Sequence, residues 1–83
     1  ITYEQLCAVV VRYCDYMGYD LHDKKNSIDI RFTAANWAYA DVCRLMFAEI
    51  IDVEDGFDFS AYITRGEIAS VFMKLDECVK GTE

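Results

Sequence analysis

The sequence has no proline, one histidine, one tryptophan and four glycines. A proline-free chain that is 54% hydrophobic and 14% aromatic can bury a core, which argues against a disordered linker. The four cysteines, Cys7, Cys14, Cys43 and Cys78, form no Cys-x-x-Cys pair, and only His22 could join them as a nitrogen ligand. Structural zinc sites draw on closely spaced ligand pairs, so zinc is not expected. There is no Gly-x-Ser-x-Gly elbow, no phosphate-binding glycine loop and no His-Glu-x-x-His helix. Nor do the carboxylates sit beside an evident apolar pocket, so no acid/base pair can be nominated. The chain is therefore expected to be non-catalytic and to need no cofactor. No apolar run approaches the roughly 20 residues that span a bilayer.

Basic residues are also scarce. Eight stand against fifteen acidic ones, giving a net charge of −7. That balance argues against a nucleic-acid backbone or an anionic lipid surface as the main partner. At 83 residues the chain is one small domain, hiding only roughly 60–65% of its unfolded surface. It opens on Ile1 without a methionine or signal peptide, which reads as a piece of a longer chain. Cys7 and Cys14, seven apart on one helix, are roughly 10 Å from each other, too far for a mutual bridge. Bridges to Cys43 or Cys78 remain open beside the simpler reading of small buried thiols.

Three helices are legible. Thr2-Tyr3-Glu4-Gln5 is a capping box, followed by Leu6, Val9, Val10, Tyr13 and Met17 as an apolar stripe and by Gly18 as a left-handed stop. Residues 19–32 form a connecting loop packed by its own side chains or functional, with Ile28–Phe32 alternating as a short extended piece. Thr33 or Asn36 can cap a second helix running to about Ile50, with Ala38, Val42, Leu45 and Met46 as its stripe. Thr64-Arg65-Gly66-Glu67 is a second capping box, and Ile68, Val71, Phe72, Leu75 and Val79 form the third stripe, ended by Lys80-Gly81.

The first and third helices overlay without a gap when Ile1 is placed on Ile63, a shift of 62 residues. Thr2 then falls on Thr64, Gln5 on Glu67, Leu6 on Ile68, Val9 on Val71 and Arg12 on Lys74. Matching starts, boxes and phase together suggest tandem supersecondary units.

The second unit resembles the S-layer homology repeat of bacterial cell-surface proteins. The resemblance is carried by Phe32-Thr33, Trp37-Ala38-Tyr39, the helix to Ile50-Ile51, Asp55-Gly56 with its following aromatic, and Ile63-Thr64-Arg65-Gly66-Glu67. Residues 1–20 resemble the last helix of a preceding repeat, and 21–83 one full repeat. The family's proline after the loop aromatic is missing, the loop is shorter, Glu49 stands where the family has glycine, and Tyr3 replaces the arginine in the first copy. What the resemblance implies is an all-α module, three helices with long connecting loops, forming part of a tandem-repeat bundle. It also implies an extracellular, wall- or S-layer-associated location, with neighbouring repeats and anionic, often pyruvylated, secondary cell-wall polysaccharide as partners. Arg65 would contact the anion from the first turn of its helix, where free amides and the dipole already favour negative charge. Trp37, the Asp55-Gly56 turn, Thr64 and Glu67 would shape the groove. Arg65 could instead be solvated or paired with Glu67 or Asp58, and Trp37 could pack beneath a neighbouring helix or loop. A protein-interaction or structural module is the competing function.

The acidic loop 52–58 fits no EF-hand register, because neither alignment supplies both the glycine and the bidentate glutamate. An irregular cation site at Asp52, Glu54, Asp55 and Asp58 remains conceivable, and His22 reads as a solvated loop residue.

Overall fold

The computed structural model describes residues 1–80. They form helices α1 (Tyr3–Met17), α2 (Asn36–Phe47) and α3 (Arg65–Lys80), with two short strands, β1 (Phe32–Thr33) and β2 (Phe57–Asp58). The chain is thus mostly helical, and a small parallel strand pair qualifies the all-α expectation. Gly81, expected to end α3, lies outside the described residues.

Both capping boxes form. Thr2 Oγ1 accepts from the Gln5 amide at 3.2 Å while Gln5 Oε1 accepts from the Thr2 amide at 2.9 Å. Thr64 and Glu67 repeat this exchange at 3.2 and 3.0 Å. Each box satisfies two helix-start donors that have no partner in the helix.

The second helix departs from expectation at both ends. Neither Thr33 nor Asn36 caps it; Ala35 is the N-cap and has no side-chain hydrogen bond of its own. Instead the Glu4 carboxylate of α1 accepts from the Ala35 amide at 2.9 Å. At the other end α2 stops at Phe47 rather than near Ile50, because Glu49 adopts a left-handed φ of 59°. The Ile50 amide then reaches back to the Leu45 carbonyl at 2.9 Å and the Glu49 amide to that of Met46 at 3.1 Å. This is a Schellman ending, and the flanking Leu45 and Ile50 are both buried. The first helix ends the same way at Gly18, as expected.

The stripe expected for α2 is the one buried: Ala38, Val42, Leu45 and Met46. That of α1 is only partly so. Leu6 and Val10 are buried, but Val9, Tyr13 and Met17 are exposed, and Cys7, Ala8, Val11 and Cys14 turn inward in their place. In α3, Val71 and Leu75 are buried with Cys78, Ile68 and Val79 are half-buried, and Phe72 faces out.

The strand pair aligns Phe32 with Phe57 and Thr33 with Asp58. The expected extended piece at Ile28–Phe32 is therefore confined to its last residue and the one beyond. Hydrogen bonds from Gly56 to the Arg31 carbonyl (2.7 Å) and from Phe59 to the Thr33 carbonyl (2.8 Å) extend the pairing. Under it lies an aromatic cluster in which Tyr3, Phe57 and Phe59 meet edge-on, Tyr3–Phe57 at 4.8 Å and Phe57–Phe59 at 4.9 Å. Phe32 meets Phe59 edge-on at 5.5 Å and stacks on Tyr39 at 5.2 Å. Edge-to-face aromatic pairs add about 0.5–1.5 kcal/mol each beyond their buried area. This cluster fixes the first turn of α1 to the strands and to α2. The long loop is held by Tyr19, Leu21, Ile28 and Ile30, which pack on the same hydrophobic cluster.

The three helices run in one direction. The start of α1 meets the start of α2 at Glu4–Ala35, and their later turns meet at Asp15–Arg44, 3.4 Å apart. Thr2 forms an antiparallel bridge with Tyr62 just before α3, while Tyr13 and Tyr19 share a depression with Phe72, Leu75 and Val79. All three N-termini therefore gather at one end of the molecule.

Candidate functional site

That gathered end holds four of the expected site residues, Arg65, Trp37, Thr64 and Glu67. Arg65 is the first residue of α3, exposed, and belongs to no ion pair among the described residues. The alternatives of pairing with Glu67 or Asp58 are not realised: Glu67 accepts from the Thr64 amide, and Asp58 accepts from the amide and hydroxyl of Ser60 at 2.9 and 2.8 Å. Those two hydrogen bonds hold the Asp58 carboxyl below its ordinary value, since they favour the charged form. Trp37, in the first turn of α2, is 59% exposed, so it does not pack beneath a neighbouring helix or loop.

The local carboxylates are occupied by helix-start amides. Glu4 is engaged with Ala35 and Glu67 with Thr64. Glu67's amide is taken by the Thr64 hydroxyl, while the Arg65 and Gly66 amides, in the exposed first turn, have no partner within the helix. The start of α3 contributes partial positive charge there, whereas α1 gives its Tyr3 and Glu4 amides to the Ala61 and Phe59 carbonyls and the Ala35 amide before α2 is taken by Glu4. Chemically, this end can receive a carboxylate or another small anion despite the net negative charge of the chain.

At the 62-residue shift Tyr3 falls where α3 has Arg65, and it is buried against Phe57.

Asp55 and Gly56 serve the loop. Gly56 takes a φ of 84°, as a glycine turn requires, and its amide donates to the Arg31 carbonyl. Asp55 accepts from the Arg31 amide at 2.7 Å and pairs with the Arg31 guanidinium at 3.5 Å. These contacts hold the turn to the lead-in of β1, and among the described residues no hydrogen bond or ion pair joins it to Arg65.

The acidic loop does not converge on a cation. Asp52 faces Lys25 at 4.0 Å, Asp55 holds Arg31 and Asp58 holds Ser60. Among the described residues no three His, Cys, Asp or Glu side chains group as metal ligands. His22 is exposed, with Nε2 3.9 Å from Asp20. An open cavity of about 460 Å³ lies between the long loop and the end of α2, lined by Lys25, Ser27, Ile28, Asp29, Met46 and Asp52. None of the expected contact residues lines it.

All four cysteines are free thiols. Burial pushes the Cys7 thiol up to about 12, with the nearby negative charge of Asp41 adding to the effect. Burial also raises Cys14 and Cys43. Such thiols are poor nucleophiles and read as small core side chains.

Glu4 is the residue that sequence reasoning missed. As an acid in a first turn it signalled a favourable dipole contact, but no local pattern marks a partner 31 residues away. No helix among the described residues is long and apolar enough to cross a membrane. Compared with protein-family models, with curated proteins and with solved structures, the chain matches none.

Proposed function

We propose that the chain is a non-catalytic, S-layer-homology-like module of an exported protein, which holds that protein to anionic secondary cell-wall polysaccharide. The observation that carries this reading is Arg65. It opens α3 in an exposed first turn, outside any ion pair among the described residues, at the end where three helix N-termini meet. A guanidinium offers a planar two-point contact to a carboxylate such as that of a pyruvylated sugar. Exposed Trp37 at the same end supplies a flat apolar face for a sugar ring. Thr64 and Glu67 act by fixing the turn from which Arg65 projects, and Asp55-Gly56 by fixing the preceding loop.

Two features support the family resemblance independently of that site. Glu49 adopts the left-handed backbone at the position where the family has glycine. Both boxes of the 62-residue repeat form with the same geometry. On this reading residues 1–20 close one repeat and 21–83 form the next, in a tandem array at the cell surface.

A second reading is favoured by the unequal copies. Tyr3 in place of a cation marks a repeat that has lost one anion contact, so the module could serve protein interaction alone. Retention on purified cell wall separates the two. Wild type is expected to be retained and Arg65→Ala released; equal retention of both, or of neither, rejects the anchor.

A further inference from the structure

Away from the gathered helix starts, Tyr13 of α1 and the later turns of α3 leave a depression of about 160 Å³ between them. Tyr13 and Tyr19 form a corner of it, their ring centroids 6.0 Å apart and their planes at 68°. Phe72 lines the same depression but makes no ring contact with either tyrosine among the described residues, so the space between the three rings is open. Buried Leu75 and half-buried Val79 form the floor, and the exposed Asp76 carboxylate stands at the rim. The Tyr19 hydroxyl is raised above its ordinary value first by Tyr13 and, more weakly, by the charge of Asp76, in keeping with the three groups facing one another. The core does not consume these rings: Tyr13 and Phe72 stay 44% and 42% exposed.

We propose that this depression binds a small, soluble quaternary ammonium compound of the choline type. Aromatic faces attract a cation lying within about 6 Å of the ring centre, and a methylated ammonium, having apolar methyl groups around its charge, also suits an apolar floor. Asp76 adds a full negative charge at the rim. Its present partner is Lys80 at 3.0 Å, a surface pair of two largely exposed side chains and so easily exchanged. Lys74 lies two residues from both Phe72 and Asp76, a spacing at which helical side chains do not face each other. No cationic side chain lines the depression itself. The net charge of −7 draws a cation toward this surface and repels an anion. A neutral apolar ligand would gain nothing from Asp76. The site shares no residue with the Arg65 end, so it stands whether or not the anchor reading holds.

The test is an amide NMR titration of the full chain with choline at fixed ionic strength, beside its uncharged isostere in which a quaternary carbon replaces the nitrogen. Saturable shifts centred on Tyr13, Tyr19 and Phe72 are expected, with the isostere about fivefold or more weaker. Phe72→Leu and Tyr13→Leu keep an apolar side chain but remove a ring face, and each should weaken choline about threefold or more. Asp76→Asn should weaken it as well, whereas Lys80→Gln, which frees Asp76, should bind at least as tightly as wild type. Amide dispersion checks that each variant folds, as expected at partly exposed positions. Equal binding of choline and its isostere, or choline binding unaffected by Phe72→Leu, makes the depression a plain apolar hollow and overturns the proposal. No shifts, or shifts that grow without saturating across the acidic surface, overturn it too. Arg65→Ala should leave choline binding unchanged, so a loss of wall binding in that variant bears on the anchor alone.

Discussion

Glu4 Oε2 lies 2.9 Å from the backbone amide of Ala35, so a side chain in the first turn of α1 caps the start of α2. The contact replaces the local cap that α2 lacks and locks two helix starts together at the proposed binding end. Glu4→Ala should lower stability by about 1–2 kcal/mol, the range for losing a helix cap with a charged acceptor. Thermal unfolding should fall by roughly 4–8 °C per kcal/mol for a domain of this size. Glu4→Gln, which keeps an acceptor, should recover part of the loss. An unchanged midpoint in Glu4→Ala would show that solvent caps α2 equally well.

Glu49 holds a φ of 59° with an exposed side chain that contributes no hydrogen bond or ion pair among the described residues. Left-handed backbone costs a residue with a Cβ roughly 1–2 kcal/mol, which glycine avoids at the expense of a more flexible unfolded chain. Glu49→Gly should therefore stabilise the module by about 0.5–1 kcal/mol, measured by urea denaturation. Destabilisation instead would mean that the Glu49 side chain does more at this turn than the backbone geometry indicates.

The buried thiols give the module an alkaline limit. Burial pushes the Cys7 thiol from an ordinary 9.0 up to about 12, so its neutral form is favoured in the native state. A raised value means that this contribution is complete below pH 9.0 and is lost as pH climbs from there toward about 12. Tyr19, raised by the neighbouring Tyr13, acts in the same direction further up the scale. Melting temperature should decline over that window, and less steeply in Cys7→Ala. In native conditions a thiol reagent should modify half-exposed Cys43 first and leave Cys7, Cys14 and Cys78 slow. Rapid labelling of Cys7 would contradict the buried placement.

Much of this was legible in the chain, and the pattern of misses is physical. Capping boxes are local, so Thr2–Gln5 and Thr64–Glu67 could be read directly. The stripe of α2 was also legible, because Ala38, Val42, Leu45 and Met46 recur at helical spacing. On α1 the sequence presents two apolar faces, one with Cys7, Val10 and Cys14 and one with Val9, Tyr13 and Met17, and periodicity cannot rank them. The early end of α2 was hidden because a non-glycine residue supplies the left-handed turn. Strands β1 and β2 are two residues each, too short to leave a period. At the site, Arg65 was legible as a first-turn cation, whereas the exposure of Trp37 depends on what the surrounding helices leave uncovered.

The most direct measurement is isothermal titration of the chain with purified, pyruvylated secondary cell-wall polysaccharide, beside the same polymer stripped of its pyruvate. The account predicts binding to the pyruvylated polymer that weakens with salt, is lost on stripping and is lost in Arg65→Ala, with Trp37→Ala weaker than wild type. Equal heats for wild type and Arg65→Ala, or no heat with either polymer, would contradict it.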